Sequence, residues 1–276
     1  MSAITKAFER CRAEKRAAFI PFLMAGDPHL ETTREMLYRL VRAGADVIEL
    51  GVPFSDPIAD GPVNQRAAVR ALESHTTVAG ILRLIAEERD ALGVPIVLFS
   101  YLNPLLARGA ERFAEQAGAS GVDGVLAVDL PPEEAAAEFA PALEERGVDS
   151  IVLLAPTSSK ERVKQAAATA RGFVYYVSRA GVTGVREALP EKLTSEVKSL
   201  RRRLALPVAV GFGISTPEQA AAVARVADGV VVGSALVRLI EENPGAGDLP
   251  AIVEELARDL AGAMVRKRGL KGLVGR

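Results

Sequence analysis

The stretch 46–61, DVIELGVPFSDPIADG, sets a carboxylate, Glu49, near the end of an apolar run suited to a buried strand. The loop that follows carries Asp56 and Asp60, and Asp46 starts the run, so four acids gather around one strand. An unpaired buried charge is expensive; Glu49 has to be paired, shifted in pKa, or placed at a mouth where a ligand needs it. Along a strand, Val47, Glu49 and Gly51 share one face while Ile48 and Leu50 share the other. If Ile48 and Leu50 pack outward, Glu49 points into the interior between apolar walls that raise its pKa and suit it to give and take a proton. The competing reading is a structural ion pair, whose cation would be distant, because no Arg or Lys occurs between Arg42 and Arg66. Asp60, in ADGP, reads equally well as a turn residue bonding its own backbone or as a second working carboxylate.

A second chemical signal is phosphate. VGFGIS and VVGSAL end two successive apolar runs with small residues, here Gly213, Gly233 and Ser234, and the serine can cap the helix that begins there. Bare backbone N–H groups at a helix N-terminus attract an anion; the competing reading for each glycine is tight strand–helix packing. Gly184, in the glycine-rich RAGVTGVREALP, can add a third donor. Phe22, Tyr101, Tyr175 and Phe212 lie in or at the ends of predicted strands, where they serve as core or line one flat pocket. With only His29 and His75 in the chain, no histidine metal cluster is expected. No lysine falls in or at the end of a predicted strand, which disfavours imine chemistry. The residues thus point to a phosphate-bearing substrate with an apolar body, worked on by carboxylates.

These groups need a frame. Eight β-branched or apolar runs, AAFIPFLMAG, DVIELG, PIVLFSY, GVLAVDL, SIVLLAP, FVYYVS, PVAVGFG and GVVVGSAL, alternate with Ala/Glu/Arg-rich segments of helical spacing. The pattern predicts a (β/α)8 barrel, with an extra N-terminal helix and long loops after strands 2 and 6, as one domain over residues 1–276. A helix over ETTREMLYRLVRAG shows the logic: Met36, Leu37, Leu40 and Val41 share a face and Gly44 closes it. An open doubly wound sheet competes, but no dinucleotide-binding glycine pattern follows the first strand. Both long loops then emerge at the C-terminal face, where barrels carry their chemistry.

Composition narrows the remaining classes. The chain has 276 residues, a formal net charge of −1 and 49% hydrophobic residues. That balance gives no basic face for nucleic acid, and the C-terminal RKRGLKGLVGR reads as cations favouring the end of a last helix. The one cysteine, Cys11, is expected to be an inert buried thiol. No signal core or membrane-length apolar stretch is present, so a cytoplasmic protein is expected.

PFLMAGDP, ELGVPFSDPIADGP, YYVSRAGVTG, and GFGISTPEQ with GSALV, in this order over nearly the whole chain, closely resemble the α subunit of tryptophan synthase. The resemblance implies a lyase that cleaves indole-3-glycerol phosphate to indole and glyceraldehyde 3-phosphate. It also implies that indole passes to a β subunit bearing pyridoxal phosphate, in an α2β2 heterotetramer, with no cofactor and no metal in this chain. By similarity Glu49 is the acid and base at indole C3 and the side-chain hydroxyl, and Asp60 offsets charge at the ring nitrogen. Tyr175 matches a residue beside the reacting groups, Phe22 and Phe212 match residues flanking the ring, and Gly184, Gly213, Gly233 and Ser234 match phosphate positions. Thr183 matches a lid residue that bonds the Asp60 position on closure, and Asp56 a contact with the β subunit. Met24 departs from the smaller or β-branched residue that relatives often carry, which bears only on wall packing. Two other functions stay open on the residues: a different phosphate-binding barrel isomerase or synthase, and a mainly regulatory ligand-binding subunit.

Overall fold

The runs expected as strands form β1 (Ala18–Met24), β2 (Ile48–Gly51), β3 (Ile96–Ser100), β4 (Gly124–Ala127), β5 (Asp149–Leu154), β6 (Val174–Val177), β7 (Val208–Gly211) and β8 (Gly229–Val232). The structure is a computed structural model that describes residues 1–107, 109–135, 137, 139–177, 191–211 and 213–264. All eight strands pair in parallel with their sequence neighbours, and β8 returns to β1 through Ala18 opposite Gly229, closing the barrel. The open-sheet alternative is thereby excluded.

The helices are α1 (Ala3–Ala13), α2 (Leu30–Ala43), α3 (Pro62–Glu73), α4 (Val78–Leu92), α5 (Leu102–Leu106), α6 (Ala110–Ala119) and α7 (Pro132–Ala135). They continue with α8 (Phe139–Glu145), α9 (Lys160–Thr169), α10 (Glu191–Arg203), α11 (Pro217–Ala224), α12 (Ser234–Glu242) and α13 (Leu249–Ala263). The long connection after β2 holds both α3 and α4, as its composition predicts. In α2, Met36, Leu37 and Leu40 are buried, Val41 is partly so, and Gly44 caps the end.

Strand parity sorts the core into two layers. Ile48, Leu50, Ile96, Leu98, Val208, Val210, Val230 and Val232 face outward and join the helices in the larger cluster. Ile20, Val47, Val97, Leu126, Ile151, Phe173 and Val231 fill the barrel itself. The predicted extra helix, α1, closes the N-terminal end of the barrel by adding Ile4, Ala7, Phe8 and Cys11 to that inner cluster. Burial, followed by the charge of Asp46, pushes the Cys11 thiol up to about 12, in keeping with an inert role.

Asp46 also belongs to this floor. It is 2% exposed, and its carboxylate accepts from Arg10 Nη2 at 2.8 Å, Arg16 Nη2 at 2.8 Å and the Phe19 backbone N–H at 3.0 Å, with a further short contact to Arg16 Nη1. The expectation that Asp46 surrounds Glu49 is therefore wrong. Asp46 precedes β2 and shares the parity of outward Ile48 and Leu50, where the arginines of the floor reach it, whereas Glu49 lies within β2 on the opposite parity and points into the barrel. The terminal basic cluster, 266–276, lies outside the described residues.

Candidate active site

Glu49 sits inside the barrel, beside Phe22 of β1 and Val97 of β3 in the strand register. Its side chain is 0% exposed, and neither carboxyl oxygen has a hydrogen-bond partner among the described residues. Burial alone pushes its pKa to about 8, so near neutral pH the carboxyl holds its proton. Among the described residues no cation pairs with it, and the outward packing of Ile48 and Leu50 is the reason it points inward.

The long loop after β2 brings the second carboxylate over the mouth. Tyr101, at the end of β3, accepts from the Ala59 backbone N–H at 2.8 Å and donates to Asp60 Oδ2 at 3.3 Å. Its ring packs on Phe54 of the same loop, with centroids 5.2 Å apart. Gln65 holds the loop from the α3 side, its Nε2 donating to the carbonyls of Asp60 at 3.0 Å and Pro57 at 3.3 Å. Burial raises the Asp60 pKa to about 6, and the Tyr101 hydrogen bond works against that rise. At pH 7 Asp60 is mostly charged while Glu49 is mostly neutral: two carboxyl groups in one mouth, set by their surroundings to opposite states.

Aromatic rings line the space between. Phe22 meets Phe99 edge-on at 5.3 Å, and Phe99 stands 6.3 Å from Tyr175. Burial and then the charges of Glu49 and Asp60 hold the Tyr175 hydroxyl well above its ordinary pKa, so it remains a neutral donor. Two glycines clear room for these rings. A methyl group on Gly211 would lie 2.2 Å from the Tyr175 hydroxyl, and one on Gly51 would lie 2.7 Å from Phe22 Cζ.

At the ends of β7 and β8, Gly213 takes a left-handed turn at φ 69° and Gly233 occupies the N-cap of α12. Ser234 is the first helical residue and not the cap, which differs from the sequence expectation; the chain bends out of β8 one residue earlier, at Gly233. The α12 N-terminus thus presents backbone N–H groups without a side-chain cap bond. A charge network ties α3 to the C-terminal end of α12: Arg70 of α3 grips buried Asp27 at 2.7 and 2.8 Å, and both Arg66 and Arg70 reach Glu241.

The described structure brings Phe22, Glu49, Asp60 and Tyr175 to one end of the barrel, with Gly213, Gly233 and Ser234 on its rim. Asp56 is exposed on the outer side of the loop, bonded by Ser55, near Ile58, which is 88% exposed. Thr183, Gly184 and Phe212 lie outside the described residues. Sequence reasoning counted Tyr101 among the pocket aromatics but missed its grip on Asp60, and it did not single out Phe99. The inward parity of Phe99 on a strand beside Glu49 was an available signal. Among the described residues no group of three or more His, Cys, Asp or Glu is placed to hold a metal ion. No described helix is long and apolar enough to cross a membrane.

Residues 8–263 match the family model described as tryptophan synthase alpha chain. The chain is 50% identical over 261 residues to the tryptophan synthase alpha chain of Geobacter sulfurreducens, covering 95% of this chain and 96% of that one. It is 47% identical over 276 residues to that of Geotalea uraniireducens, covering all of both chains. The crystal structure of tryptophan synthase subunit alpha from Legionella pneumophila superposes with a TM-score of 0.88 at 39% identity, covering 96% of this chain and 98% of that one.

Proposed function

The chain belongs to the tryptophan synthase alpha chain family, the lyase subunit that cleaves indole-3-glycerol phosphate in tryptophan biosynthesis, and we propose that Glu49 and Asp60 divide the work of that cleavage. The observation that carries the assignment is the Glu49 carboxyl: fully buried, without a partner among the described residues, and protonated near neutral pH.

Retro-aldol cleavage needs a proton delivered to indole C3, relief of the positive charge that this creates on the ring nitrogen, and removal of the proton from the adjoining hydroxyl. Glu49 starts as the acid and protonates C3. Asp60, ionised, accepts the ring N–H and offsets the charge that develops there. The C3–carbon bond then breaks; its electron pair returns to the ring, the hydroxyl oxygen becomes the aldehyde carbonyl, and Glu49 recovers a proton from that hydroxyl. The carboxyl ends as it began, so one buried group serves as acid and then base. Tyr175 supports the reacting groups as a neutral donor, and Phe22 with Phe212 holds the ring. The backbone at Gly184, Gly213 and Gly233, with Ser234, receives the phosphate at the positive end of α12. Thr183 closes over the site by bonding Asp60.

No step of this scheme draws on a cofactor, and we read the chain as needing none; pyridoxal phosphate belongs to the β subunit. A β-subunit partner follows from the family. We propose an α2β2 assembly in which the loop with Asp56 and exposed Ile58 faces that partner and indole passes across. We also read residues 1–276 as one barrel domain, acting in the cytoplasm. The test is indole release from indole-3-glycerol phosphate by the purified chain, slow alone and faster with a β subunit. A chain that binds the substrate but releases no indole in either state would be a regulatory relic.

A further inference from the structure

The first turn of α3 holds a polar group that the scheme above leaves unused. Asn64 lies four residues beyond Asp60 and is partly buried; its amide oxygen is shielded from solvent and accepts no hydrogen bond from any described residue. Leaving such an acceptor unmet forfeits the hydrogen bond it would make with water in the unfolded chain. The position is therefore costly until a donor arrives.

Helical spacing puts Asn64 in line with Ala67, Ala68 and Ala71, and these alanines pack with Phe22, Met24 and Val237. Val237 lies one turn into α12, just as Ala67 and Ala68 lie one turn after Asn64. The contact therefore sets the N-terminal turns of α3 and α12 side by side at the mouth. Asn64 follows Asp60 by four residues, on a helix that packs beside α12, whose first residue is Ser234. Side chains on a helix lean toward its N-terminus, which tips Asn64 toward the mouth.

Indole-3-glycerol phosphate brings three donors of its own: the ring N–H, the hydroxyl next to the ring, and the hydroxyl on the following carbon. Asp60 takes the first and Glu49 the second. The third lies between the reacting carbon and the phosphate, and Asn64 stands on the helix that leads away from Asp60 and packs beside α12, whose N-terminus takes the phosphate in that placement. We infer that Asn64 is a specificity-determining residue whose amide oxygen accepts a hydrogen bond from this second side-chain hydroxyl, an inference that rests on the substrate placement proposed above. Asn64 moves no proton; it selects a hydroxylated three-carbon phosphate over one lacking that group.

The test compares two competitive inhibitors of the cleavage: glycerol 3-phosphate, and 1,3-propanediol monophosphate, which lacks only the middle hydroxyl. Wild-type protein should favour glycerol 3-phosphate by about five- to tenfold, the worth of one hydrogen bond. In Asn64→Leu the ratio should fall to near one, with the propanediol compound held within about twofold; Asn64→Val serves as a second variant should the leucine not fold. An unchanged ratio, no preference in the wild type, or equal weakening of both compounds overturns the inference while leaving the phosphate placement standing. If neither compound competes in the wild type, the phosphate placement itself fails and takes this inference with it.

Discussion

Asp46 and Glu49 are three residues apart, both buried to within 2% of complete, and yet they live in opposite chemistries. Asp46, at the barrel floor, accepts from two arginines and a backbone N–H, and those bonds outweigh burial and hold its pKa below the ordinary value. Glu49, at the mouth, meets no donor among the described residues and rises to about 8. Burial is common to both, so burial cannot be what makes one of them a reagent. What separates them is whether the protein supplies the counterpart. The floor is finished by its own arginines; on the function proposed above, the mouth is finished by substrate.

The strongest way to break this comparison is to remove each charge in turn. Glu49→Gln keeps the shape and loses the proton, so indole release should fall by about 10³-fold or more, with the fold intact. A variant that kept most of its turnover would return Glu49 to a structural part. Asp60→Asn should cost about 10²–10³-fold, since a neutral amide cannot offset charge on the ring nitrogen; normal turnover would make Asp60 the turn residue that its sequence context also allows. Asp46→Asn should do the reverse. Denaturant unfolding should show about 2–3 kcal/mol lost, because Arg10 and Arg16 lose their shared anion, while turnover per folded molecule stays near wild type.

The comparison sharpens with pH, since the two groups should move stability in opposite directions. The folded-state pKa of Glu49 is raised, so its contribution is fully present below its unfolded value of 4.5 and is lost as pH climbs toward about 8. Relative to wild type, Glu49→Gln should gain stability across that window, by up to about 1.4 kcal/mol per pH unit for one proton. Asp46 is lowered, so its contribution is present above 3.8 and is lost as pH falls through its still lower folded value. The deficit of Asp46→Asn should therefore shrink on acidification. Parallel unfolding curves at every pH would refute both assignments. The smallest effect expected is at Tyr101. Tyr101→Phe removes a bond that lowers the Asp60 pKa, so the acid limb of kcat/KM, expected near pH 6, should shift upward; a downward shift would contradict the geometry.

Much of this was legible beforehand, for reasons that are local. Alternation along six residues was enough to aim Glu49 inward, because Ile48 and Leu50 have nowhere to go but the helix layer. Eight apolar runs separated by helical spacing were enough for a closed barrel. Where the reading fell short, the missing information was long-range. The partners of Asp46 lie 30 and 36 positions earlier, and the bond that steadies Asp60 spans 41. No spacing rule connects such residues; only the closed barrel does. Ser234 was displaced from its expected cap by a single residue, since small residues on both sides of a bend leave its position open.

The floor has a further consequence, for the order in which the molecule is assembled. Phe8 packs on Phe173 with ring centroids 5.5 Å apart, and a methyl on Gly229 would lie 3.1 Å from the Phe8 ring. Ala18 finds its strand partner only when Gly229 arrives. During synthesis α1 leaves the ribosome well before β8, yet the seat that receives it is not complete until β8 has been made. Its apolar face must wait through most of translation. Closing so long a loop costs little more entropy than closing a moderate one, but contacts of such high sequence separation slow folding. An early helix thus waits on the last strand, and the nascent chain carries an uncovered plug until that strand is in place.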